Sequence, residues 1–133
     1  MIKLMAMLPT PETTPYNQKL TEARLRALQC TYGCDFNIFE NPHKVFFTPG
    51  WPIVSLEVSP GAQPLDTFVH PEQCYYIAGN TQFERLSEWI NVDYKIVLPV
   101  PHPDHPLYGD QALSITLHDR FVKCQKYMTN SRS

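Results

Sequence analysis

Three stretches decide the fold: Cys74-Tyr-Tyr-Ile-Ala-Gly79, Lys95-Ile-Val-Leu-Pro99 and Gly109-Asp-Gln-Ala-Leu-Ser-Ile-Thr-Leu-His-Asp-Arg120. The first is a near-continuous apolar run stopped by glycine, as expected of a strand covered on both faces. The second is a further apolar strand stopped by proline. The third has the look of a closing helix. Strand, glycine turn, helix, strand, proline-rich loop, helix is the alternation of an α/β domain, and in an open α/β sheet ligands bind at the carboxyl ends of the strands. Upstream segments are then expected to supply the remaining strands.

Working outward, residues 2–8 form an apolar run ending at Pro9 and read as a first strand. Residues 10–16 read as a loop. Residues 17–32 carry Leu20, Ala23, Ala27, Leu28 and Thr31 at helical spacing, with Gly33 placed as a C-cap. Residues 35–40 read as a second strand. Residues 45–48 are aromatic and apolar but too few to place. Residues 52–58 read as a strand, and residues 64–68 as a short helix or turn docking Leu65 and Phe68. Residues 83–90 read as a helix with Phe83, Leu86, Trp89 and Ile90 on one face. Residues 94–100 form a strand and residues 112–127 the last helix, with a frayed tail at 129–133. The expected fold class is α/β, a mostly parallel sheet covered by helices, in a single domain over residues 1–128.

Composition narrows the function classes. A chain of 133 residues with 43% hydrophobic content supports one core and argues against disorder, while a formal charge of −2 argues against a strongly basic nucleic-acid binder. No apolar run is long enough for a bilayer. The apolar start reads as a strand rather than a signal peptide, which leads to an expected cytoplasmic location. Cys30 and Cys34 lie one helical turn apart without a second close pair, so they read as ordinary thiols. His102, Asp104 and His105 share a proline-rich loop but lack an evident further ligand; no metal is expected. Asp119, Arg120, Lys123 and Lys126 read as a solvated helix face, with RNA contact as the alternative. There is no Gly-x-Gly-x-x-Gly, no Walker loop and no Gly-x-Ser-x-Gly elbow.

Beyond these patterns, four segments taken in order carry a resemblance. They are Tyr75-Tyr-Ile-Ala-Gly-Asn80, Leu86-Ser-Glu-Trp89 with Val92-Asp93, Ile96-Val-Leu-Pro99, and Ala112-Leu-Ser-Ile-Thr-Leu-His-Asp-Arg120. Together they resemble the C-terminal half of SPOUT-class RNA methyltransferases of the SpoU branch. Asn17 with Arg24 or Arg26, and then Asp35-Phe-Asn-Ile-Phe-Glu40, resemble that family's N-terminal half more faintly. The resemblance implies a C-terminal trefoil knot, a homodimer, and S-adenosylmethionine held by Val58-Ser59, Gly79-Asn80 and Leu98-Pro99, with Leu107 to Gly109 completing the cup. It implies methyl transfer to a ribose 2′-hydroxyl of a structured RNA, tRNA or rRNA, with Arg24 or Arg26 as the catalytic arginine.

The chain departs from the family in four places. Thr81 stands where the family has glutamate, and Pro106-Leu-Tyr-Gly-Asp-Gln111 lacks its asparagine. The Asn-to-Arg spacing is longer, and residues 40–53 are too few for a second helix. A non-catalytic knotted domain that binds RNA or a protein partner is therefore the alternative. Another α/β domain, doubly wound, is a third.

Overall fold

The computed structural model describes residues 2–7 and 15–132, with the side chains at 15–17, 42 and 126–132 left aside. Leu8 and most of the expected loop at 10–16 fall outside the described residues. Six strands, β1 (Ile2–Met7), β2 (Asp35–Phe39), β3 (Ile53–Leu56), β4 (Gln63–Pro64), β5 (Cys74–Ala78) and β6 (Tyr94–Val97), form one sheet in the order β2-β1-β5-β3-β6-β4. Every pairing is parallel. Among the described residues two α-helices accompany the sheet, α1 (Pro15–Tyr32) and α2 (Gly109–Arg132). The fold is thus α/β with a parallel sheet, as the apolar runs lead one to expect.

Burial follows strand position. All five residues of central β5 and all four of β3 are buried, whereas β2, at one edge, has none fully buried. One face of the sheet carries both helices: Leu25 and Leu28 of α1, and Ala112, Leu113 and Leu117 of α2, close over Leu4, Ala6, Val54, Leu56, Tyr76 and Ala78. Burying side chains of this size stabilises by about 1.5–3 kcal/mol each. The opposite face has no helix among the described residues. There Met5, Ile53, Tyr75 and Ile77 are covered by Leu86 and Ile90 and by Val45, Phe47 and Trp51. Those aromatic residues at 45–51 cover the core as irregular chain, and between β2 and β3 there is one 3-10 turn at Pro42–Lys44.

Pro15 lies in the first turn of α1, where its missing N–H removes no helical bond. Gly33 ends that helix at φ 68°, donating its N–H to Gln29. Leu65 and Phe68 are buried beside a 3-10 turn, as their sequence suggests. α2 begins three residues earlier than the apolar pattern indicates. Tyr108 N–H donates to Gln111 Oε1 at 3.0 Å, the reach-back half of a capping box. The helix also runs through residues 129–132, where the sequence reads as a tail.

Residues 83–90 are not the expected helix. Only Leu86–Glu88 turn, as 3-10, and Phe83 and Trp89 are about half exposed. The reason is tertiary. Ser87 N–H bonds to the buried Glu57, so a side chain thirty residues away takes a donor that a helix over 83–90 would use. A second correction concerns the late charges of α2. Arg120 donates to the carbonyls of Pro71 and Glu72 and to Tyr76 OH, and Lys123 donates to the carbonyls of Leu65 and Phe68. They clasp residues 65–72 onto α2 instead of forming a free solvated face.

Candidate functional site

Sheet order places the site. From β1 the chain crosses to β2 on one side, and from β5 it crosses over β3 to β6 on the other. The carboxyl ends of β1 and β5 are therefore a topological switch point, where parallel sheets open a crevice. A cleft of about 360 Å³ lies there. Ala6 and Met7 of β1 and Gly79, Asn80 and Thr81 after β5 contribute one side. Leu20, Thr21 and Arg24 of α1 and Tyr108, Gly109 and Asp110 at the start of α2 contribute the other.

The loops around the cleft are joined through backbone. Val58 N–H donates to Gln82 at 2.8 Å, Gln82 N–H to Leu107 at 3.2 Å, and Gly109 N–H to Asn80 at 2.9 Å. Thr81 and Tyr108 add an antiparallel bridge. The segment after β3, the segment after β5 and the entry to α2 are thus one connected rim. Gly109 is needed for this closeness, because a Cβ there would overlap the Gly79 carbonyl oxygen. At Gly79 a Cβ would lie 2.6 Å from both Cβ and Oε2 of Glu84. A carboxylate therefore stands against Gly79 although Thr81 replaces the glutamate of the resembled family.

Charge and polarity at the cleft are specific. Arg24 Nη1 is 3.5 Å from Asp110 Oδ2, and the aspartate side chain is only 8% exposed while the arginine is 56% exposed. The pair lets Asp110 be buried in the first turn of α2, where negative charge is also favoured by the helix dipole. It leaves part of the guanidinium facing the open cleft. Asn80 Oδ1 and Gln82 Nε2 are buried without a hydrogen-bond partner, an acceptor and a donor on one loop. Such groups are costly to leave unpaired and are the places where a ligand gains affinity.

The residues expected at the site divide. Gly79, Asn80, Gly109 and Arg24 line the cleft. Leu107 joins Arg24 and Asp110 in a second, more open hollow of about 480 Å³ between α1 and α2. Val58 and Ser59 sit at the end of β3, one strand over, and Leu98 and Pro99 at the end of β6; Leu98 is buried and Pro99 exposed. Arg26 is exposed and lines neither hollow. Thr21, Asp110, Glu84 and Glu57 were not singled out by sequence, and Tyr108 only as part of Leu107 to Gly109. The only signal among the four is a lone acid, Glu57, closing the apolar run Ile53-Val-Ser-Leu.

A second polar cluster lies away from the cleft. His70 bonds to Tyr76 OH through Nδ1 at 2.7 Å and to Asp119 through Nε2 at 2.8 Å, and Lys123 also reaches Asp119 at 2.8 Å. Burial lowers the His70 pKa against the opposing pull of Asp119, and burial raises that of Tyr76. A phenol held protonated is no nucleophile, so the cluster is a fastening. His102, Asp104 and His105 are exposed, with His105 N–H closing a turn onto His102. Among the described residues no three His, Cys, Asp or Glu side chains are grouped to hold a metal. No helix is long and apolar enough to cross a membrane among the described residues. No protein-family profile and no curated protein sequence matches the chain.

Proposed function

We propose that the chain is an S-adenosylmethionine-dependent RNA ribose 2′-O-methyltransferase, with Arg24 at the acceptor hydroxyl. The observation that carries this reading is the convergence of α1, the loop after β5 and the start of α2 on one cleft at the switch point, with Arg24 between them. The SPOUT resemblance selects those segments together with Val58-Ser59 and Leu98-Pro99, which do not line the cleft. The reading includes the trefoil knot, a homodimer, a structured tRNA or rRNA partner and a cytoplasmic location.

The residues fit the cofactor in a particular way. The N–H groups of Val58, Gln82 and Gly109 already bond within the protein, so they are not its ligands. The unpaired Asn80 Oδ1, on a residue that lines the cleft, supplies an acceptor for an amino group such as that of adenine. Glycine at 79 and 109 permits the close approach of backbone that a cup requires. When bound, the cofactor supplies an electrophilic methyl group on a sulfonium.

Arg24 has five donors and no acceptor, so it is not the base. Its role is to hold the ribose oxygen and stabilise the negative charge that develops there, while the hydroxyl proton leaves to water. Asp110 orients the guanidinium from its buried side. Arg26, away from the cleft, takes no part.

The second reading is a non-catalytic domain binding RNA or a protein. It is favoured by Thr81, whose hydroxyl accepts from Phe83 N–H and whose backbone pairs with Tyr108. Methyl transfer from labelled S-adenosylmethionine to bulk RNA tests the two. The enzyme reading expects transfer by the wild-type chain and by Arg26→Ala, with a loss of about 100-fold or more in Arg24→Ala. Cofactor binding without any transfer favours the second reading. Equal transfer by Arg24→Ala removes the catalytic assignment.

A further inference from the structure

We propose that the ring of Tyr108 is the platform on which the base of the acceptor nucleotide stacks while Arg24 holds its ribose, an inference that rests on the RNA reading above. Tyr108 lines the cleft at the carboxyl ends of β1 and β5 and is 62% exposed. The Arg24 side chain lines the same cleft and is also more than half exposed. Asn80 Oδ1, by contrast, is buried. An aromatic ring and a cation thus stand on the open side of the cleft.

The ring is presented by backbone that is fixed on every side. Tyr108 N–H donates to Gln111 Oε1 at 3.0 Å, and the Tyr108 carbonyl accepts from Ala112 N–H at 3.0 Å. Tyr108 also pairs with Thr81 in an antiparallel bridge. On either side of it, the Leu107 carbonyl accepts from Gln82 N–H, and Gly109 N–H donates to Asn80. The side chain itself has no hydrogen bond or ring contact among the described residues. A single exposed aromatic residue is common on any surface. One whose backbone is clamped at the mouth of a cleft offers a large flat face at a small cost in rotamer freedom.

Chemistry selects the occupant. A ribose oxygen at Arg24 carries its base one glycosidic bond away, and Tyr108 lines the same cleft. A nucleotide drawn in there leaves the stack of its own RNA, and an aromatic ring replaces the lost contact. Of the two charged residues lining the cleft, Asp110 is 8% exposed and Arg24 56%, so the charge presented to a ligand is positive, as a nucleotide requires. Stacking reads the face of a base and not its edge, so the platform accepts any of the bases.

Fluorescence anisotropy at fixed salt tests this with two labelled probes, a short oligoadenylate and an oligomer of the same length and ribose-phosphate backbone without bases. The wild-type chain is expected to bind the oligoadenylate about tenfold more tightly. Tyr108→Phe is expected to keep that preference. Tyr108→Leu and Tyr108→Ala are expected to lose it while holding the abasic oligomer within about twofold of wild type, with circular dichroism reporting folding. A purely structural role would weaken both probes together and leave their ratio unchanged. A wild-type chain without preference, or a preference unchanged in Tyr108→Leu, overturns the proposal. If Tyr108→Ala does not fold, the comparison of Tyr108→Phe with Tyr108→Leu decides. Methyl transfer to bulk RNA by a wild-type chain that shows no base preference removes the platform and leaves the enzyme reading standing. Binding of neither oligomer also removes the platform, and the RNA reading falls with it only if transfer is absent too.

Discussion

Replacing Gly109 by alanine tests the joint between the loop after β5 and the start of α2. Gly109 is the first residue of α2, and helix propensity alone favours alanine over glycine by up to about 1 kcal/mol. The structure gives the opposite sign. The added methyl would meet the Gly79 carbonyl far inside the 3.0 Å below which real Cβ contacts essentially do not occur. The partner is backbone and cannot rotate away. Relief requires the two segments to part, which breaks the bond from Gly109 N–H to Asn80 and the Thr81–Tyr108 bridge. At about 1 kcal/mol for each and about 1–3 kcal/mol for residual overpacking, the cost is about 3–5 kcal/mol. That is a large share of the 5–15 kcal/mol typical of a domain. Urea denaturation followed by circular dichroism measures it, with a fall in Tm of about 10–20 °C as a parallel readout. Gly50→Ala is the comparison: its φ is 87° and nothing lies within reach, so the backbone conformation alone costs about 1–2 kcal/mol. A Gly109→Ala chain as stable as wild type, or more stable, refutes the close approach.

Three other outcomes are expected. Burial keeps the folded His70 pKa below its ordinary 6.5. As pH falls through 6.5 the unfolded chain takes up the proton first, so stability drops from there until the folded pKa is reached; denaturation midpoints of His70→Gln across pH 5 to 7.5 should lack that slope. Arg120→Ala strips donors from the Pro71 and Glu72 carbonyls and from buried Tyr76 OH, and should cost about 2–3 kcal/mol in urea denaturation, whereas a solvated arginine would cost almost nothing. Cys30 and Cys124 are exposed while Cys34 and Cys74 are buried with raised pKa, so a thiol reagent should titrate two groups in the native chain and four after denaturation; four fast groups would contradict the packing of Cys74 in β5.

The sheet was legible because its strands are apolar runs punctuated by residues that cannot extend them. Ala78 is followed by Gly79, and Leu98 by Pro99, which has no N–H for the ladder. The helices were legible from apolar spacing, but the stripe read for α1 only partly found its buried face: Leu25 and Leu28 are buried while Ala23, Ala27 and Thr31 are exposed, whereas Leu113 and Leu117 of α2 are buried as their spacing suggests. What local pattern could not supply is who competes for a backbone group. Residues 83–90 have helical spacing, yet Glu57, thirty residues earlier than Ser87, claims the Ser87 N–H and hydroxyl. Arg120 and Lys123 look solvated until residues 65–72 bring their carbonyls alongside. At the site, Gly79 and Gly109 were visible as chain breakers, but Glu84 standing against Gly79 and Asp110 beneath Arg24 follow only from the folded chain. Arg24 and Arg26 are likewise equivalent in sequence and separated by two helical positions, enough to put one on the cleft and leave the other outside it.

The central claim is a cofactor site in the cleft at the carboxyl ends of β1 and β5, and direct titration of S-adenosylmethionine into the pure protein tests it. The account predicts saturable binding with one site per chain, weakened by Gly109→Ala. An absence of binding at about millimolar ligand, where an affinity of even 4 kcal/mol would register, contradicts it.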